Sequence, residues 1–280
     1  MGQPEQHAEG AGPFTTRLTW QRAEGETVVW ESRLARRRGV LSVRAPGDAA
    51  GRPSTAGPRS LRRLRRLNAI ASGAFVTGGA LFAAGAAISQ FGSGDPLLSA
   101  SVYFAGGLFF NTGGYVSLLQ VLNAPRHAPG GGALVTADWR WWGYEPMRLD
   151  WLSTFVLFVG TLVFGVNLLD SFLRGLSVQQ VNRLVWTPDM IGCVLFLISG
   201  HLAFAEICHR SLPCLRSRSL GWWVVAVNQF GSLLFMVSAL AAFTRPSTGS
   251  LLNTGIANWG TLTGAVCFSV GGVLQLFERP

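Results

Sequence analysis

Six apolar runs divide the chain after its first 66 residues, at about 67–89, 97–122, 149–171, 188–208, 220–243 and 255–277. Each is long enough for a helix to cross the roughly 30 Å hydrocarbon layer of a bilayer, which takes about 20 residues. Two of the runs open with helix-start chemistry, Asp95-Pro96 and Thr187-Pro188. There a side-chain oxygen caps free amides and Pro occupies the first turn without losing a hydrogen bond. The pattern predicts an all-α fold, an integral membrane bundle of six transmembrane helices. Residues 1–66 then form an Arg-rich N-terminal segment, 67–122, 149–208 and 220–280 form three helical hairpins, and 123–148 and 209–219 are the loops between them.

The N-terminal segment is polar, and its tract 44–60 is rich in Pro, Gly, Ala and Ser. Such a tract buries too little apolar surface to offset the entropy of ordering, so it reads as a flexible linker. Ahead of it, Leu18, Trp20, Val28 and Trp30 alternate with polar residues on either side of Ala23-Glu24-Gly25-Glu26. That pattern admits a small hairpin within 14–33, which would need the membrane face or a partner to dock on.

Charge changes the picture in two ways. Only 13% of residues are charged and the mean hydropathy is +0.32, about half the charge share of a soluble domain. All 23 basic residues are Arg, which excludes mechanisms that need a lysine, such as a Schiff-base pigment, a P-loop or a pyridoxal-phosphate enzyme. Thirteen of them precede Ile70, mostly as Arg36, Arg37, Arg38, Arg62, Arg63, Arg65 and Arg66. In a membrane protein this concentration reads as a topology signal and a contact for anionic lipids, not for nucleic acid. The loops alternate in the same sense, with no Arg in 90–96 but Arg126, Arg140 and Arg148 before the third run. The expectation is a multi-pass protein of the cell membrane with both termini cytoplasmic. Cys193, Cys208, Cys214 and Cys267 have no C-x-x-C spacing, so reduced thiols are expected.

Within the runs, small residues and Phe recur at fixed spacing. Gly106 with Phe110, Gly192 with Phe196 and Gly264 with Phe268 match in the even helices, and Gly78 with Phe82, Gly160 with Phe164 and Gly231 with Phe235 in the odd ones. A further small residue follows in each even helix, Gly114, Gly200 and Gly272, and six positions later come Gln120, Glu206 and Glu278. The spacing predicts three repeated two-helix hairpins in which these nine glycines let backbones approach closely, because lipid offers helices no hydrophobic drive to associate.

The segments Gly160-Thr161-Leu162-Val163-Phe164, Gly192-Cys193-Val194-Leu195-Phe196 and Gly231-Ser232-Leu233-Leu234-Phe235 resemble the YrhK-like domain of bacterial membrane proteins, a two-helix unit with a Gly-small-x-x-Phe core. Larger uncharacterised actinobacterial membrane proteins are similar over most of the span region, including Trp139-Arg140-Trp141-Trp142 and Val185-Trp186-Thr187-Pro188-Asp189. The resemblance implies a packed membrane bundle and no particular activity.

Polar side chains at membrane depth are the remaining candidates: Asn111, Asn167, His201, Asn228 and Gln229, with Glu206 close to a helix end. The fourth run also carries Cys193, His201, Glu206, Cys208 and His209, yet not at the spacing of a metal site. No nucleophile and base, metal signature or cofactor motif is legible, so no catalytic residue, metal or cofactor is expected. Two functions remain. One is a non-enzymatic scaffold that binds lipid, a protein partner or further copies of itself; the other is a small-solute or ion transporter whose path is lined by Asn111, Asn167, His201, Glu206 and Asn228.

Overall fold

The computed structural model describes residues 6–22, 24–48, 51–92, 95–127, 131–136, 138–216 and 218–278. It opens with a five-stranded antiparallel meander in the order β1 (Gln6–Ala11), β2 (Phe14–Gln21), β3 (Thr27–Glu31), β4 (Val40–Arg44) and β5 (Arg52–Thr55). Gly12, with a φ of 58°, opens the two-residue turn between β1 and β2, a backbone shape that costs glycine little. β2 and β3 form the hairpin admitted by the alternation, pairing Gln21 with Thr27 and Arg17 with Glu31. β5 holds Pro53 and lies at the sheet edge, where a missing amide costs no ladder bond.

Between β3 and β4 the chain makes a two-turn helix, α1 (Ser32–Arg38). It ends at Gly39, whose φ of 63° is left-handed and whose amide returns to the carbonyl of Ala35. Ala35 packs on the sheet with Trp20, Val28, Leu41, Ala56 and Leu134, so this unit has an apolar core of its own.

Eight helices account for the described helical chain apart from one π-helical turn. After α1 come α2 (Pro58–Phe91), α3 (Pro96–Leu122), α4 (Leu149–Asp170), α5 (Val178–Val181), the π-helical turn Asn182–Trp186 that runs into α6 (Thr187–Cys208), then α7 (Leu220–Ala241) and α8 (Thr254–Phe277). A two-residue ribbon, β6 (Arg126–His127) with β7 (Leu134–Val135), lies between α3 and α4. α2 packs against α3 and α8, α3 against α4, α4 against α6, α6 against α7, and α7 against α8. The order closes on itself, so six helices form a ring.

Two parts of the expected architecture are overturned. The protein is not all-α: a mixed α/β unit stands where an Arg-rich segment with a linker was expected, and the tract 44–60 contributes β5 and the first turn of α2, its residues 49 and 50 lying outside the described ones. Nor is the helical part the clean six-helix, three-hairpin transmembrane bundle that was expected. Five helices are long and apolar enough to cross a membrane, Pro58–Phe91, Leu149–Asp170, Val178–Cys208, Leu220–Ala241 and Thr254–Phe277. α3 is long enough at 27 residues, but Ser99, Ser101, Asn111, Thr112 and four glycines dilute its apolar character. The five long apolar helices make this a membrane-embedded protein. α2, at 34 residues, is about 51 Å long, so its first turns extend beyond the hydrocarbon and carry exposed Arg62, Arg65 and Arg66.

Six phenylalanines, one from each ring helix, fill the ring's interior. Phe82 meets Phe110, Phe164 and Phe235 at 5.1, 5.6 and 6.3 Å between ring centroids, and Phe268 meets Phe110, Phe196 and Phe235 at 5.5, 6.0 and 5.2 Å. Each faces a glycine of a neighbouring helix. A Cβ on Gly78 would stand 2.5 Å from the Phe110 ring, on Gly106 3.1 Å from Phe82, on Gly160 2.9 Å from Phe196, on Gly192 3.0 Å from Phe164, on Gly231 3.3 Å from Phe268 and on Gly264 2.5 Å from Phe235. Gly114 faces Thr161, Gly200 faces Gln229 and Gly272 faces the Ser72 carbonyl, at three other seams of the ring.

Candidate functional site

α1 carries its arginines at i, i+3 and i+4, which places Arg33, Arg36 and Arg37 on one helical face. That face points away from the sheet and into the end of the ring where α3, α6 and α8 finish. Three helix C-termini supply negative dipole ends there, which favours cations. Arg36 donates to Glu206 Oε2 at 2.6 Å, and Ser32 donates to Glu206 Oε1 at 2.8 Å. Arg33 forks onto Glu278 through Nε and Nη2 at 2.8 and 2.7 Å, the two-pronged geometry that suits a planar guanidinium. Arg37 donates from Nη1 to Asn68 Oδ1 and Gln120 Oε1, both at 2.8 Å. The three positions that follow the small residues of the even helices, Gln120, Glu206 and Glu278, thus each receive one arginine of α1.

Apart from the partly exposed Arg33, all of this is buried: Arg36 is 3% exposed, Arg37 6%, Glu206 1% and Gln120 0%. Burial pushes the Glu278 carboxyl up, but the charges of Arg33, Arg37 and Arg36 outweigh it and hold the group below its ordinary value. Burial, and then the neighbouring Arg36 charge, push Arg37 down to about 9, which leaves it charged at neutral pH. Asp150, at the start of α4, lies 3.9 Å from Arg36 Nε but is bound at 2.7 Å by Arg148.

Beneath α1 is a cavity of about 100 Å³ on the ring axis. Its roof is Arg33, Arg36 and Arg37; its floor is aromatic, with Phe75, Phe196 and Phe268; its wall includes Ser117, Ser153, Thr154, Ser199, Asn228, Ser232 and Gln275. Every helix of the ring contributes to the lining. The chamber is therefore bounded at one end by an arginine cap from the sheet unit and at the other by Phe75 with Phe196 and Phe268 of the phenylalanine layer.

Of the residues expected to line a path, Asn228 stands in the chamber wall and Glu206 holds its cap. The others are not gathered with them. The amide of Asn111 lies by Gly165 on the seam of α3 with α4, Asn167 is buried on α4 away from the chamber lining, and His201 is exposed on the outer face of α6. Gln229 sits on the seam of α6 and α7, donating to the Leu197 carbonyl at 3.4 Å. The arginines were the residues missed, because a basic run before a first span reads as a topology signal. Arg36 and Arg37 are instead inside the protein, and of the seven arginines read that way only Arg38, Arg62, Arg65 and Arg66 are exposed. The i, i+3, i+4 spacing was the available clue. Arg63 stacks over Trp139 at 5.2 Å.

No family model matches this chain, and neither the curated proteins nor the solved structures include a match. Among the described residues no three His, Cys, Asp or Glu side chains are grouped as a metal site would require. The expectation of reduced thiols is corrected at one pair: Cys208 and Cys214 are joined as a disulfide across the turn after α6, while Cys193 and Cys267 are free. Spacing did not announce this link because it forms where the chain doubles back beneath the sheet, next to His209, whose Nδ1 lies 2.9 Å from the Thr16 hydroxyl.

Proposed function

We propose that this is a non-enzymatic multi-pass protein of the cell membrane that binds a small polar solute inside its helix ring and passes it when its two closures yield. The observation that supports this reading is the chamber itself: polar side chains from five of the six ring helices, inside a membrane-embedded bundle, between an arginine cap and an aromatic layer. Polar groups at membrane depth are costly and are commonly kept where they line a solute or ion pathway. A packed hydrophobic constriction is a known means of gating such a pathway by excluding water. The resemblance to YrhK-like domains rests on the Gly and Phe segments and is carried as part of this proposal.

The test is efflux of small radiolabelled ions and neutral solutes from liposomes holding the full-length protein. Efflux above that of protein-free vesicles is the expected result. Background efflux for every solute, together with a stoichiometric partner chain in native mass spectrometry, would replace this reading with a membrane scaffold.

The arginine distribution supports an orientation with the sheet unit and both termini in the cytoplasm, where exposed Arg62, Arg65 and Arg66 meet anionic headgroups. This orientation sets the Cys208–Cys214 disulfide in a reducing compartment, and so requires that the link be opened there. In intact spheroplasts of a variant lacking Cys193 and Cys267, a membrane-impermeant maleimide is expected to leave both cysteines unlabelled even after an impermeant reductant. Labelling before permeabilisation would invert the orientation.

A further inference from the structure

We propose that the chamber is a binding site for a small inorganic anion, held at its arginine end by Arg37 and Arg36 with Gln275. The inference deepens the solute-binding reading above and rests on the same cavity, although not on transport through it.

Charge balance points first to an anion. Arg33, Arg36 and Arg37 face two dedicated carboxylates, Glu206 and Glu278, while Asp150 is taken by Arg148. One guanidinium is left over, and it is Arg37, whose hydrogen-bond acceptors Asn68 and Gln120 are both neutral. No carboxylate among the described residues forms an ion pair with it. A charge that is 6% exposed and has no carboxylate in contact calls for a counter-charge in the space it faces.

Hydrogen-bond balance points the same way. The buried side-chain nitrogens without a partner include Arg36 Nε, Arg37 Nε, Gln120 Nε2 and Gln275 Nε2, and every one of them is a donor. The amide of Gln120 cannot be turned to help, because Arg37 offers only protons and so holds Gln120 by its oxygen. What this end of the chamber lacks is acceptors. Three of the four donor residues, Arg36, Arg37 and Gln275, line the chamber.

The rest of the wall locates the anion. Ser153 and Ser199 each donate to the other's carbonyl at 3.0 and 2.9 Å, Thr154 donates to the Asp150 carbonyl at 2.9 Å, Ser232 to the Asn228 carbonyl at 3.0 Å, and Asn228 to the Val224 carbonyl at 2.9 Å. The four hydroxyls spend their only protons on these carbonyls, and Asn228 keeps one amide proton, so the free donors are concentrated at the arginine end and an anion is drawn there. A volume of about 100 Å³ admits a halide or a small oxyanion with a few waters, since one water needs only about 10–15 Å³ on the same measure. It does not admit a phospholipid or a nucleotide.

The experiment is thermal unfolding of the full-length protein in detergent, in gluconate buffer of constant ionic strength, with chloride, nitrate or inorganic phosphate exchanged for gluconate. The wild type is expected to gain stability saturably with at least one of these anions, because a ligand that binds the folded state alone raises its midpoint. Gln120→Glu, isosteric and in direct contact with Arg37, supplies the missing negative charge from the chain. It should unfold in gluconate at a midpoint at or above that of the anion-saturated wild type, with the anion response lost. Arg37→Gln should lose the response as well, and if it fails to fold, Gln120→Glu carries the test. A wild-type midpoint that ignores anion identity, or a Gln120→Glu response equal to wild type, overturns the site. Saturable binding without efflux from liposomes keeps the site and removes transport; efflux without anion binding keeps transport and removes the site.

Discussion

Glu206→Ala is expected to detach α1 from the helix ring and to cost roughly 3–5 kcal/mol, the range for removing one partner of a buried ion pair. The size follows from what the residue holds. Its two oxygens take Arg36 at 2.6 Å and Ser32 at 2.8 Å, with Arg33 at 3.9 Å, and the group is 1% exposed. Without it Arg36, itself 3% exposed, keeps only the more distant Asp150, which Arg148 already binds. Arg36→Leu at the same contact should cost less than Glu206→Ala only if the carboxylate tolerates burial better than the guanidinium, so the pair of variants apportions the penalty. Hydrogen exchange read by mass spectrometry is the discriminating measurement. Amides of α1 should exchange far faster in Glu206→Ala while α4 and α7 stay protected; wild-type protection of α1 would show that the sheet unit is held by other contacts.

Acid should act on the same joint. The folded value of Glu278 lies below its ordinary value of 4.5, so the folded state binds protons less readily than the unfolded one. The contribution of Glu278 is therefore complete above about pH 4.5 and is lost as the pH falls through the depressed folded value. The cap is expected to loosen in that acid window, where the apolar contacts of the ring are unaffected.

The second large effect is expected from Phe82→Ala. Phe82 is 2% exposed and touches three other rings of the six-membered layer, and truncating a buried Phe costs about 3–5 kcal/mol. On the proposed function the void also removes one side of the barrier beneath the chamber, so efflux from liposomes should rise even as thermal stability falls. Phe82→Leu, which refills part of the volume, should recover much of both. A variant that loses stability while its efflux stays at the wild-type level would mean that the layer is packing alone and does not gate a path.

These two sites differ in how far they could be read from the chain. The phenylalanine layer was legible as the recurrence of Phe four residues after Gly in six apolar runs, because helix periodicity makes that spacing a statement about one face. What the recurrence could not say is that the six rings converge, since each helix's rotation about its axis is set by its neighbours. The arginine cap was hidden for a different reason. Arg33, Arg36 and Arg37 lie in a run that is equally suited to a lipid headgroup layer or to a buried joint, and their partners Glu206 and Glu278 are 170 and 245 positions away from Arg36 and Arg33.

The sheet was the largest misreading, and its cause is local. β4 and β5 are five and four residues long, separated by Gly, Pro and Ala, and β5 contains a proline. Such strands are too short to show alternation and are stabilised by their pairing, not by their composition. The thinner apolar character of α3 was present in the sequence and was outweighed by its length.

The sequence by itself determined that this is a membrane protein and that no lysine chemistry is available to it, because those properties are sums over neighbouring residues. Only the tertiary structure decided that three arginines from the sheet unit cap a chamber inside the ring. That outcome depends on carboxylates and amides brought together from four helices distant in the chain, and a charge's meaning in a protein is set by what surrounds it.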